Sequence, residues 1–154
     1  MRKWLALSAV VIAIDVYTKH LIQQAFQYGE HLQITPFFDL VRYHNEGAAF
    51  SFLANQGGWQ HFFFTAIALV ASAVMIYLLR KHAEQKLFCF AIALILGGAL
   101  GNLYDRLTLG YVVDFLLFHF HGYQYYWPAF NVADSAITLG VILLLWDGIS
   151  TQKD

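Results

Sequence analysis

Two aspartates in this chain stand in apolar company. Asp114 lies in GYVVDFLLF (110–118) and Asp134 in AFNVADSAIT (129–138), in a sequence only 12% charged. Neither has a basic residue three or four positions away that could neutralise it on a helix. If the two carboxyls meet, repulsion and desolvation keep both from ionising, and the pair shares one proton. One carboxylate can then take a proton from water while the other protonates a carbonyl oxygen, the chemistry of an aspartic peptidase. Spacing alone does not make them meet.

Other polar residues sit in patterns that suggest company for these two. Asp15 and Lys19 are an acid and a base four apart, so on a helix they face each other and either neutralise one another or serve a site. Gly98, Gly101, Asn102 and Asp105 fall on one helical face, as do Asn131, Asp134, Ser135 and Thr138. Gly97 and Gly101 form a G-x-x-x-G pair, for which close helix packing is a sufficient explanation. Asp105 is expected to anchor at an interface, and Arg106 to bind a lipid phosphate or a carbonyl. His119 and His121 alternate in an aromatic run and lack a third ligand nearby, so interfacial packing is favoured over a metal site. His44, His61 and His82 are expected at the surface or interface, and Cys89 as a packing residue.

These residues need elements to hold them, and composition says which kind. The 154-residue chain is 59% hydrophobic and 18% aromatic, with a mean hydropathy of +0.53. That departs from soluble domains in the direction of a membrane protein. A net charge of −1 gives no basic field for nucleic acid, and a single cysteine excludes an internal disulfide. Four apolar runs reach the ~20 residues a spanning helix needs: 4–26, 59–79, 87–107 and 130–149. Arg2 and Lys3 before the first run imitate a secretory leader. No A-x-A-like cleavage site follows and the apolar character resumes after Lys19, so an uncleaved span is expected.

Arg2, Lys3, Arg80, Lys81, Lys86 and Lys153 fall on one side of such a bundle, and the two other connections, 27–58 and 108–129, carry only Arg42. Positive-inside then puts both termini in the cytoplasm and those two connections outside. The first connection reads as a strand or hairpin punctuated by Pro36 and Gly47, with Gly47, Gly57 and Gly58 as possible hinges. The second, FHFHGYQYYWPAF, reads as an aromatic stretch at the membrane–water boundary. At 1.5 Å per residue, Asp15 lies about 18 Å and Lys19 about 24 Å from the inner end of the first run; Asn102 lies about 22 Å and Arg106 about 28 Å up the third. Asp134 is about 6 Å below the outer end of the fourth. The polar residues therefore converge on the outer leaflet. A proton-coupled transporter would instead need charges along the whole path, and a non-catalytic assembly factor would tolerate loss of both aspartates.

At these residues the chain closely resembles the bacterial lipoprotein signal peptidases, the signal peptidase II family. DVYTK (15–19), NEGAAFS (45–51), GGALGNLYDR (97–106), VVDF (112–115) and FNVADS (130–135) look like its five motifs, in order and on the expected outer side. The resemblance implies an all-α membrane protein of one domain, residues 1–154: a four-transmembrane-helix bundle in the bacterial inner membrane with a small β-rich periplasmic platform. It implies cleavage of diacylglyceryl-modified prolipoproteins just before the lipidated cysteine. Carried over by motif, Asp114 and Asp134 are the catalytic dyad. Asn45, Gly98, Asn102, Arg106 and Asn131 match residues of the substrate site, where globomycin-type inhibitors also bind, and Asp15 and Lys19 match structural or lipid-contacting positions. Membrane lipids are the other expected partners, a monomer is the expected unit, and no metal or cofactor is called for.

Overall fold

The computed structural model describes residues 1–46, 59–120 and 124–151. The possible hinges Gly47, Gly57 and Gly58, the remainder of the NEGAAFS motif after Glu46, and His121 lie outside them. Among the described residues, four helices are long and apolar enough to cross a membrane: α1 (Arg2–Ala25), α2 (Trp59–Lys81), α3 (Lys86–Leu109) and α4 (Val132–Thr151). Their bounds lie within two residues of the four expected runs. Helices suit these segments because hydrocarbon offers no partner for a backbone N–H or C=O, and a helix satisfies both internally.

The third helix is the centre of the bundle. It packs against each of the other three, and 61% of its most apolar window is buried, against 17% for α2 and 11% for α4. The outer surfaces of α2 and α4 therefore present residues such as Phe62, Val70, Leu145 and Trp146 to the surroundings. Glycine allows the closest approaches. A Cβ on Gly98 would collide with the carbonyl oxygen of Ala133 in α4, and one on Gly101 would lie 2.6 Å from a carboxylate oxygen of Asp15 in α1. Toward the end where Trp4, Leu79 and Cys89 lie, these residues close an apolar cluster with Ile92 and Leu96.

At the opposite end sits a four-stranded antiparallel sheet in the order β1 (His31–Thr35), β2 (Phe38–Asn45), β3 (Val112–Phe120), β4 (Tyr125–Tyr126). The first outer connection thus forms the expected hairpin, turning at Pro36. The second differs from expectation. Val112–Phe120 form β3, which takes in the first three residues of the aromatic stretch, and Tyr125–Tyr126 within that stretch form β4. The alternation that marks a strand is visible only toward the end of β3, where Leu117 and His119 are buried and Phe118 and Phe120 exposed; Val112 to Phe115 are buried without a break. A run buried at every residue hides the period of two. His119 is buried within the sheet, and its Nε2 lies 3.0 Å from Asp39 Oδ1.

Arg42, Gly110 and Asp105 help to fasten the sheet to the bundle. Arg42 in β2 donates through Nη1 to the carbonyls of Gln23 (3.2 Å) and Phe26 (2.8 Å), capping the C-terminal end of α1. Gly110 ends α3 in the left-handed conformation, φ 85°, so that Tyr111 leads directly into β3. The Asp105 carboxylate accepts from the Val113 N–H at 3.0 Å and fixes the angle of that exit. Ile22, Val113 and Phe115 fill the space beneath the sheet.

Candidate active site

The site forms where the end of α3, the start of α4 and the first turn of β3 meet. Its organiser is Asn131, fully buried immediately before α4. Its side-chain oxygen accepts from the Asp134 N–H at 2.9 Å, and Asp134 Oδ2 accepts from the Asn131 N–H at 3.2 Å. This is a reciprocal capping box, with an aspartate in the third helical position. The spacing read in the sequence as a polar stripe is therefore a helix start. Ser135 and Thr138, which continue that spacing, are exposed. Ser135 donates back to the Asn131 carbonyl and does not enter the site.

The same asparagine reaches across to β3. Its Nδ2 donates to Asp114 Oδ1 at 2.7 Å, and also lies 3.3 Å from the Val113 carbonyl and 3.2 Å from Asn102 Oδ1. The other oxygen of Asp114 accepts from Asn45 Nδ2 at 3.0 Å, while Asp134 Oδ1 accepts from Asn102 Nδ2 at 2.8 Å. The two carboxyls are thus joined through one amide residue, and each is held by a second. Asp114 is only 3% exposed. Burial, and after it the negative charge of Asp134, push its carboxyl up to about 7, against the opposing pull of the Asn45 and Asn131 hydrogen bonds.

Behind the dyad lies a second layer that the sequence suggested only in part. Lys19 is buried; its ammonium donates to Asn102 Oδ1 at 2.8 Å and pairs with the Asp15 (Oδ2, 2.7 Å) and Asp105 (Oδ2, 3.2 Å) carboxylates. Asp15 Oδ1 accepts from the Ala133 N–H at 2.8 Å, supplying α4 with a second cap from a different helix. Asp105 is 2% exposed, which corrects its reading as an interface anchor. It shares a face with Asn102 and Gly101, and that spacing was the available clue. Buried beside a cation and a strand N–H, it has partners that interfacial water could not replace.

The remaining expected residues divide. Arg106 stands at the outer end of α3, where its Nη1 lies 3.4 Å from the Asn102 carbonyl and its guanidinium 5.6 Å from the centre of the Phe64 ring. Among the described residues it makes no ion pair, yet it is within electrostatic reach of Asp134, Asp114 and Asp105. A Cβ on Gly98 would meet Ala133 and Ile137, so its absence permits the close approach of α3 and α4. Among the described residues no group of three or more His, Cys, Asp or Glu side chains is placed to hold a metal ion.

The sequence model of the signal peptidase (SPase) II family matches residues 7–150. A lipoprotein signal peptidase of Ralstonia nicotianae is 56% identical over 144 residues, covering 94% of this chain and 82% of that one. One from Janthinobacterium sp. (strain Marseille) is 52% identical over 147 residues, covering 96% and 88%. Two solved bacterial membrane enzyme structures, obtained by the in meso method, superpose with TM-scores of 0.85 and 0.83. They are 30% and 33% identical and cover 99% and 100% of this chain, and 90% and 95% of their own. A pair of carboxyls, one buried and one half-buried, at one end of a four-helix bundle, and this likeness over almost the whole length, lead to one assignment: the chain belongs to the signal peptidase II family of peptidases.

Proposed function

We propose that this chain is an aspartic endopeptidase of the bacterial cytoplasmic membrane that removes the signal peptide from diacylglyceryl-modified prolipoproteins, cutting just before the lipidated cysteine. The observation that carries the reading is the pair of carboxyls joined through Asn131, with Asp114 pushed up to about 7. A carboxyl in that range keeps its proton near neutrality and can give it to a substrate carbonyl. Asp134, at the positive end of the α4 dipole with two N–H groups on its oxygens, is the partner suited to act as the carboxylate.

The reaction then proceeds with the proton count closed. Asp134 takes a proton from water as the oxygen attacks the scissile carbonyl, and Asp114 gives its proton to the carbonyl oxygen. Collapse of the tetrahedral adduct returns that proton to Asp114, breaks the C–N bond and transfers the proton on Asp134 to the departing amine. The pair ends as it began, with one proton on Asp114. Asn45 and Asn102 hold the carboxyls from either side, and Arg106 offers a cation to a substrate carbonyl or the lipid-linked headgroup region.

Positive-inside orientation puts both termini in the cytoplasm and the sheet with its dyad on the periplasmic side. There, acyl chains anchored in the outer leaflet would hold the substrate's cysteine near the membrane boundary. Globomycin-type inhibitors are expected to compete at the same place. The test is cleavage of a lipidated reporter by purified protein. Asp114→Asn and Asp134→Asn should each lose about 100-fold or more of the rate while remaining folded and inserted. Near-normal processing by either variant would overturn the assignment.

A further inference from the structure

Two asparagines, Asn102 and Asn131, stand between the dyad and the buried layer behind it. A side-chain amide has a donor end and an acceptor end, and its neighbours decide which way each points. Here both are held by groups that can only donate. The main-chain N–H of Asp134 donates to Asn131 Oδ1 at 2.9 Å, and the Lys19 ammonium donates to Asn102 Oδ1 at 2.8 Å. Turning either amide over would set its NH2 against another donor. Asn131 is therefore bound to offer Nδ2 to Asp114 Oδ1 (2.7 Å), and Asn102 to offer Nδ2 to Asp134 Oδ1 (2.8 Å).

The path from Lys19 through Asn102 to Asp134 is thus directional. A cation on the amide oxygen polarises the amide and strengthens the donation from its other end. A donor aimed at Asp134 Oδ1 is completed by a bare carboxylate oxygen and opposed by a protonated one. Lys19 also reaches Asp134 through the backbone. Its ion-pair partner Asp15 (2.7 Å) accepts from the N–H of Ala133, the residue before Asp134, at 2.8 Å. Lys19 and Asp15 are both buried. The charged groups around Asn102 are Asp15 and Lys19 from α1, Asp105 and Arg106 from α3, Asp114 from β3 and Asp134 from α4. Among the described residues Arg106 makes no ion pair with either carboxyl of the dyad, so the cation bonded into the asparagine network is Lys19.

We propose that Lys19 is a positioning residue of the dyad: by fixing the Asn102 amide it keeps Asp134 the acceptor of the pair and leaves the shared proton on Asp114. Without the ammonium, Asn102 is free to turn over and present Oδ1 to Asp134. That acceptor would draw the proton to Asp134 and exchange the roles of the two carboxyls. This role rests on the reading given under Proposed function and adds which group decides where the proton resides.

The test is the pH dependence of kcat and kcat/KM on a lipidated reporter, for wild type, Lys19→Met and the double variant Asp15→Asn/Lys19→Met. Lys19→Met leaves the Asp15 and Asp105 carboxylates facing an apolar side chain, at a cost that can unfold the protein. The double variant removes one acid and one base together and keeps an amide oxygen for the Ala133 N–H, so it carries the test if the single variant does not fold. In both, kcat should fall about tenfold or more at pH values where Asp114 holds its proton. The alkaline limb of kcat/KM should also move up by about one pH unit, because the Lys19 charge pulls the Asp114 carboxyl down and its removal lets the pair hold the proton to higher pH. A loss of rate with the limb unmoved would make Lys19 a packing residue. A moved limb with kcat unchanged would make it a distant charge that does not sort the proton. Either result overturns the proposal while leaving the peptidase reading intact, whereas no cleavage by wild type at any pH would overturn that reading and the role of Lys19 with it.

Discussion

At Asp114 the protein holds a carboxyl whose charged form is disfavoured twice, by burial and by the neighbouring Asp134, and whose value is pushed up to about 7. Under the proposed mechanism the working state has the proton on Asp114, so the rate should fall as pH rises through about 7. The Asn45 hydrogen bond favours the charged form. Asn45→Ala should therefore move that alkaline limb to higher pH, which a pH profile of kcat/KM will show; a limb moving downward or staying put would contradict the assignment of the titrating group. Stability carries the same signature with a definite sign. The raised value lets the folded state keep a proton that the unfolded chain gives up, so stability is fullest below about 4 and falls as pH rises to about 7, where it levels off. Asp114→Asn, which does not titrate, should melt above wild type at pH 8, and the gap should narrow at pH 5. Both aspartates were legible as unpaired acids in apolar text. The Asp39–His119 contact was not, because its members lie on two strands whose register only the folded sheet determines.

At the scale of elements, the site depends on how closely α4 approaches α3. The start of α4 carries Asn131 and Asp134, and it is seated by Gly98 from one side and by the Asp15 carboxylate on the Ala133 N–H from another. A Cβ at position 98 would meet backbone, which cannot swing aside as a side chain can. Gly98→Ala should therefore push the first turn of α4 outward, lower thermal stability by about 1–3 kcal/mol and reduce kcat by misplacing Asp134. A substrate contact at Gly98 would instead raise KM and leave the melting temperature unchanged, so the two measurements separate the roles. The helices themselves were legible because hydrocarbon leaves an apolar run of that length few alternatives. Strand β3 was hidden because its buried first half reads the same as a helical or interfacial run. Asp105 was misjudged because nearness to a helix end says nothing about what packs over that end, here Lys19 and the Val113 N–H.

For the whole molecule, sidedness follows from where the charges lie. Arg80, Lys81 and Lys86 surround the short link between α2 and α3, whereas the sheet end has only Arg42 in its connections, and that residue is occupied in capping α1. If the link faces the cytoplasm and the sheet faces outward, labelling can show it. Cys89 is fully buried and is the only cysteine, so Cys89→Ala gives a background in which Glu84→Cys marks the link and Gln124→Cys marks the sheet, both at exposed positions. A membrane-impermeant maleimide applied to intact cells, with outer barriers permeabilised, should label the Gln124→Cys protein and spare the Glu84→Cys protein until the inner membrane is opened. The reverse pattern would put the dyad on the cytoplasmic side, out of reach of a substrate whose acyl chains sit in the outer leaflet, and the proposed reaction would then have no route to its substrate. Protection of both positions would mean that the sheet end is itself embedded. The exposed Phe120, Tyr125 and Trp127 would then lie within the bilayer and the depth assignment would shift inward.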